Sequence, residues 1–292
     1  MTLRVLRMVG ALPRRSLAVA LGLLIVVAFA IALLLRPVAW PHGPETAEPA
    51  QALFAPSLGH PLGTDAMGRD VFARVVDGTR YAFMVPLAAL ILGIGLGAPV
   101  GLLAGLFGGM ADRLLRRLFL AIGFFPPLLL ALALVAAMGP SLGHVVLALG
   151  LLEAIFFARA MRDQVRTMHE TGFIEGAVAM GNSVPRMVLA HLLPNTLAGI
   201  AAELPRRAAW ALGTLAVMGF VGIGTAADTT EWGAMVREGV ERMSAGQWWP
   251  AIFPGLALLA LGFGLQLLAA GIADLTRRNP AFLAGALAEA PR

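Results

Sequence analysis

The chain has 292 residues, 59% of them hydrophobic, and a mean hydropathy of +0.81, more apolar surface than a soluble domain carries, which implies an all-α integral membrane protein. Its net charge of +5 rests on 22 basic residues that are all Arg, and without Lys it lacks the Walker A side chain that reaches the β/γ-phosphates, so ATP hydrolysis by this chain is excluded. With no Cys, and five His at no metal-ligand spacing, disulfides, thiolate nucleophiles and a metal site are excluded too, and no cofactor is expected in this chain.

A helix needs about 20 mostly apolar residues to cross the bilayer core, where only its own hydrogen bonds can satisfy the backbone. About six stretches are read as spans on that ground, Ser16–Leu35, Ala82–Phe107, Leu118–Met138, Val145–Ala158, Thr196–Val221 and Trp249–Ile272, of which the fourth is short and holds Glu153. The first follows Arg4, Arg7, Arg14 and Arg15 in the manner of a secretory signal. Its apolar run is too long for one, and Arg36-Pro37 follows without a small-residue cleavage pattern, so it is read as an uncleaved span. The positive-inside rule then puts the N-terminus in the cytoplasm and alternates the loops. The cytoplasmic segments so defined hold 14 of the 22 Arg, among them Arg113, Arg116, Arg117, Arg159, Arg162 and Arg166, while the outer loops hold six Arg against nine acids. Both termini of this multi-pass chain are thereby expected in the cytoplasm.

Between the first two spans lies an outer segment, Pro- and Gly-rich from Pro37 to Gly63, with Trp40 where interfacial aromatics sit. Asp65, Arg69, Asp70, Arg74, Asp77 and Arg80 then alternate in sign, which predicts a short helix on the membrane surface with a solvated charged face. The chain divides into residues 1–59 (tail, first span and outer loop), 60–280 (core membrane domain, with a loop at 159–195) and 281–292 (cytoplasmic tail).

The segment from Ala158 to Asn195 is the longest expected cytoplasmic loop and has the form helix, turn, helix. Phe173, Ile174, Ala177, Val178 and Met180 make a short amphipathic helix, Gly181-Asn182 supplies a turn tolerant of positive φ, and a second helical stretch returns to the membrane at Pro194-Asn195. No other soluble part of the chain is large enough to bury that apolar face.

This loop resembles the EAA loop of ABC importer permeases, with Glu175, Gly176, Ala177 and Gly181 at motif spacing and Gly176 where the family usually has Ala. His191, Pro194 and Asn195 match the closing H-x-x-P-N of the dipeptide, oligopeptide and nickel permease family, in its second-permease subunit. His60-Pro61-Leu62-Gly63-Thr64-Asp65 with Gly68-Arg69-Asp70, Phe220-Val221-Gly222-Ile223-Gly224 with Glu231-Trp232-Gly233, and Phe253-Pro254-Gly255 resemble three further blocks of it, in order.

The resemblance implies a type I importer subunit in a bacterial inner membrane, forming half of a path for peptides or a small chelate such as nickel bound to a metallophore. Its implied partners are a homologous second permease, two ATPase subunits that bind ATP and Mg, and an extracytoplasmic binding protein, with no nucleic acid. Membrane lipid surrounds it. The loop helix would be the coupling helix docking on an ATPase, with Phe173, Glu175, Gly176, Ala177, Gly181, His191, Pro194 and Asn195 as its coupling residues. Glycines 63, 222, 224 and 233 mark either bends near an outer gate or ordinary loops.

Three charges, Glu203, Arg206 and Arg207, fall in the fifth span, about 12 to 18 Å into the bilayer. Glu203 and Arg207 stand at i and i+4 and are expected to pair, leaving Arg206 to find another anion, and Pro205 is a point where the span is expected to break or shift. Charges at that depth face a bundle interior or a wet cavity. Two readings stay open: arginines lining the substrate path and attracting carboxylates, or a structural ion pair across the permease interface. Glu153 is a further path candidate. No catalytic residue is assigned, because H-E-x-x-H, G-x-S-x-G and paired carboxylates are lacking. The alternatives to a transporter subunit are a non-ABC channel or scaffold, or an intramembrane enzyme.

Overall fold

The computed structural model describes residues 14–39, 43–170, 183–224 and 229–278. Its helices in chain order are α1 (Arg14–Ala39), α2 (Val71–Phe107), α3 (Gly109–Gly123), α4 (Pro127–Met138), α5 (Leu142–Glu170), α6 (Val184–Met187), α7 (Leu193–Val221), α8 (Trp232–Met243) and α9 (Trp249–Arg278). No strand occurs among the described residues, only an isolated bridge between Thr64 and Asp70. The all-α expectation is borne out.

Among the described residues, four helices are long and apolar enough to cross a membrane: α1, α2, α5 and α9. The third expected span, Leu118–Met138, is not straight. It breaks into α3 and α4 with a 90° bend, and counts as a fifth crossing only if the pair is taken together. Pro126 sits at the break in an extended conformation and Pro127 opens α4, because the residue before a proline is driven out of the helical region while proline itself suits a first turn. In place of the fifth expected span stands α7, a helix of 29 residues whose Glu203, Arg206 and Arg207 dilute its apolar character. It runs unbroken through Pro205, contrary to the expected break.

The expected ends also move. The fourth span does not stop at Ala158 but continues to Glu170, carrying Arg159, Arg162 and Arg166 as helix rather than loop. The return segment is continuous helix as well: α6 passes through a π-turn, Val188–Leu192, into α7. Pro194 has no N–H to continue the ordinary ladder, and the wider register at this point, with the Leu193 N–H bonded to the Val188 carbonyl, is how a helix absorbs such a defect.

Helix α2 starts where Asp70 accepts a 2.8 Å hydrogen bond from the Ala73 N–H, an N-cap. Its 37 residues reach about 55 Å. Along it Gly93, Gly97, Gly101 and Gly105 recur every four residues and face α5, which runs parallel. A Cβ at Gly97 would stand 2.1 Å from the Ala154 carbonyl oxygen, and one at Gly101 2.1 Å from that of Ala158. The two backbones touch, which is how helices associate where lipid offers no hydrophobic drive. Around this pair, Val85, Ala89, Ala131, Leu149, Leu215 and Met218 form a core shared with α4 and α7.

The end of the bundle where α2 begins is built on charge. Asp65, Arg69, Asp70, Arg74 and Asp77, expected as a solvated surface helix, are all buried. Asp65 accepts from the Arg69 Nε at 2.6 Å and lies 3.6 Å from Arg74, and both arginines reach Glu238 of α8 at 3.3 and 3.8 Å. His60 Nδ1 is 2.7 Å from Asp70, Thr230 donates to Asp77 at 2.6 Å, and the Trp232 and Trp249 indoles donate to the Val75 and Thr64 carbonyls. Residues 43–70 fold back over the start of α2 and α8, so the charges meet partners instead of water. Gly63 fits this fold-back at φ 75 against Trp249, Gly222 ends α7 in the left-handed region, Gly224 has φ 108, and Gly233 lies inside α8 against the Ala216 carbonyl rather than at a bend.

Glu231 caps α8 by accepting from the Gly233 and Ala234 N–H groups at 2.8 and 2.9 Å. Burial pushes its carboxyl up to about 7, against those two donors. Burial also raises Glu238, against the pull of Arg74 and Arg69.

Two outcomes follow. Gly97→Ala lowers the thermal midpoint of the purified chain, by the equivalent of roughly 1–3 kcal/mol, whereas Gly95→Ala, where nothing lies within 4 Å, leaves it equal or higher. For Glu231, the folded state keeps a proton that the unfolded state releases between about 4.5 and about 7, so its contribution is most favourable below that window and is lost as pH rises through it. Glu231→Gln flattens this part of the stability profile between about pH 5 and about pH 8, measured by thermal unfolding in detergent.

Candidate functional site

The mid-depth charges resolve into two separate groups. Glu153 of α5 is 0% exposed, and Arg207 of α7 clasps it with Nε and one terminal nitrogen, each at 2.8 Å. The guanidinium also stacks 4.1 Å from the Phe156 ring centre and 4.6 Å from that of Trp210. Gly93 makes room for this carboxylate, since a Cβ there would come within 2.4 Å of the Glu153 Cβ. Arg207 therefore pairs across helices with Glu153 and not with Glu203, as spacing alone suggested. Arg206 points away, 56% exposed, and takes Glu203 as its partner one turn back on α7.

Arg207 borders a cavity of about 320 Å³ that opens at the α3–α4 bend. Phe119, Phe125, Leu152, Phe156 and Trp210 give it apolar walls, and Arg159 and Arg207 are its two cations. The site can thus present positive charge within an otherwise apolar pocket, although the charge of Arg207 is already satisfied by Glu153.

Toward the end of α5 that leads into the 171–182 segment, a second arrangement appears. Asp112 of α3 is 1% exposed and sits among Arg162, Arg166 and Arg116. Arg162 holds both carboxylate oxygens, Arg166 reaches one at 3.3 Å, and Arg159 donates to the Phe119 carbonyl at 3.1 Å. Residues 159, 162 and 166 share one face of α5, so the helix grips α3 with a ladder of three arginines. In the sequence these arginines stand out only as markers of orientation. Their spacing is the available signal, hidden by a polarity that resembles a loop.

Of the expected coupling residues, Phe173, Glu175, Gly176, Ala177 and Gly181 lie outside the described residues. His191 belongs to the π-turn, and Pro194 and Asn195 to the first turn of α7. Among the described residues no group of three His, Asp or Glu could hold a metal ion.

Residues 97–278 match the family of binding-protein-dependent transport system inner membrane components. The chain is 32% identical over 263 residues to a dipeptide transport system permease protein, DppC, of Alkalihalophilus pseudofirmus, covering 90% of this chain and 86% of that one. It is 33% identical over 262 residues to a glutathione transport system permease protein, GsiD, of Pectobacterium atrosepticum, covering 89% and 86%. It is 32% identical over 251 residues to a probable D,D-dipeptide transport system permease protein, DdpC, of Escherichia coli, covering 86% and 84%. With its apolar helices and these matches over most of its length, the chain belongs to the inner membrane components of binding-protein-dependent transport systems and is an integral membrane transport subunit.

Proposed function

We propose that this chain forms half of the translocation path of an ATP-driven importer for short peptides, with a homologous permease as the other half. The observation that carries the substrate class is the likeness, over most of both chains, to permeases named for dipeptides and glutathione. ATP and its magnesium bind two separate ATPase subunits, an extracytoplasmic protein delivers the peptide, and both termini are cytoplasmic.

In this reading the 171–182 segment docks on an ATPase, with Phe173, Glu175, Gly176, Ala177 and Gly181 at the contact and His191, Pro194 and Asn195 at its return. Closure of the ATPases moves the segment, and α5 carries the movement inward. The arginine ladder on Asp112 and Phe119 supports this mechanism, because it ties the helix leading into the loop to the bent α3–α4 element beside the cavity. Two discrete packings of that element would supply the alternating states. The ion pair of Glu153 and Arg207 acts as the fixed pivot between α5 and α7, and Arg206 with Glu203 lines the path, where a peptide carboxylate can displace Glu203 from Arg206.

Affinity purification in mild detergent tests the assembly: wild type retains both ATPases and a second permease, and Gly181→Asp loses the ATPases. Recovery of this chain alone from the native host would overturn the importer reading. Side-chain roles separate by yield and flux. Arg206→Ala slows peptide uptake with complex yield unchanged. Glu153→Gln reduces yield, since removing one member of a buried pair costs roughly 3–5 kcal/mol, and Asp112→Asn keeps ATPase activity while lowering peptide moved per ATP.

A further inference from the structure

Helix α3 has 15 residues, about 22 Å, too short to cross the roughly 30 Å hydrocarbon core by itself. It begins next to the end of α2 and stands at 90° to α4. With α4 along the membrane normal, α3 lies in the membrane plane, at the face where α5 leads into the 171–182 segment. Its surface is divided lengthwise. Asp112 and Phe119 turn toward α5 and are buried. Met110, Leu114 and Leu118, spaced by four, form an apolar row that is 74%, 67% and 48% exposed. Arg113 and Arg117, also spaced by four, form a second exposed row one step round the helix, and Arg116 is half exposed beside it.

The acid that could neutralise these arginines is Asp112, the one acid of α3, and it is already enclosed by Arg162 and Arg166. Among the described residues Arg113 and Arg117 make no ion pair. Between the two rows lies a hollow of about 260 Å³ lined by Met110, Arg113, Leu114 and Arg117, two apolar chains and two guanidinium groups. A bound group must offer a phosphate-like anion to one side and a hydrocarbon chain to the other. An apolar row flanked by cations on a helix in the membrane plane is the pattern of an interfacial helix, and guanidinium groups suit phosphate oxygens in paired geometry.

We propose that α3 is an anionic-phospholipid site: Met110, Leu114 and Leu118 lie among the acyl chains, and Arg113 and Arg117 hold the phosphate of one headgroup. The lipid rests on the outer side of the helix that the α5 ladder grips from the inner side, so it anchors α3 in the leaflet plane against the pull of α5. The inference uses the membrane placement of α4 and does not depend on the substrate or on which termini are cytoplasmic.

Because the chain has no Cys, a single Leu114→Cys carries a fluorophore at a unique position. The full chain, with whatever subunits co-purify, is reconstituted in vesicles containing brominated phosphatidylglycerol or brominated phosphatidylcholine in both leaflets, which makes the result independent of insertion direction. The expected result is quenching by both lipids, with phosphatidylglycerol effective at a roughly thirtyfold lower mole fraction, as expected for two arginines at the surface. With Arg113→Gln and Arg117→Gln added, the two quenching curves coincide, and continued quenching by phosphatidylcholine shows that the helix still lies in the membrane. Equal quenching by the two lipids with the arginines present would overturn the headgroup site. Absence of quenching by either would show that water or a protein partner covers the apolar row, and would overturn the proposal as a whole.

Discussion

Helices α2 and α5 approach until their backbones touch, and that contact sets the terms for the centre of the molecule. With glycine at 93, 97, 101 and 105 no side chain separates the two helices, so whatever α5 carries on this side is sealed from lipid and water. Glu153 is on that side. A carboxylate so enclosed requires a cation with matched geometry, which fixes Arg207 and with it the rotation of α7 about its axis. The orientation of Arg207 in turn shapes one wall of the cavity and leaves Arg206 on the exposed side of α7. A missing Cβ on one helix thus decides where a guanidinium points on another.

The ionic groups divide the bundle into three levels that work differently. At mid-depth a single bidentate pair is packed between aromatic rings and specifies how two helices meet. At the loop-bearing end three arginines share one carboxylate, an arrangement that tolerates rearrangement, because one guanidinium can release the acid while another retains it. At the opposite end, where α2 begins, several acids and arginines from distant parts of the chain hold residues 43–70 onto α2 and α8. Buried ion pairs add little net stability over well-packed apolar groups, and their best-attested contribution is specificity. Here each level defines a register between elements that apolar lipid-facing surfaces alone would leave free to slide.

Composition made the all-helical membrane class legible, and four of the expected spans correspond to long apolar helices because transfer of apolar residues into lipid is a local property of the sequence. Motif blocks pointed to the family that the relatives share. Less was legible where partners are distant in sequence. Asp65 and Arg74 read as a surface helix because nothing local reveals Glu238, 169 residues beyond Arg69. Likewise Glu203 and Arg207 suited the four-residue rule, but a carboxylate on another helix competed better for Arg207. The extension of α5 was hidden by Arg159, Arg162 and Arg166, whose polarity resembles a loop until a buried acid on α3 gives them a common face. The glycine spacing on α2 was readable in principle, since a small residue at every fourth position is itself a contact pattern. The candidate site divides the same way: its loop was found by motif, its cavity and ladder only by packing.

The π-turn at Val188–Leu192 carries a geometric consequence for everything on its N-terminal side. Such a turn holds one more residue than an α-turn, so the chain before it is rotated by about 100° relative to an uninterrupted helix. Faces assigned on α7 by counting back in threes and fours do not carry over to α6, and Met187 and Ile200, buried at 2% and 3%, share one core from either side of the turn. Deleting a single residue within 188–192 would restore the ordinary helical register and swing α6 about a third of a turn around the helix axis, leaving its composition intact while turning its faces in another direction.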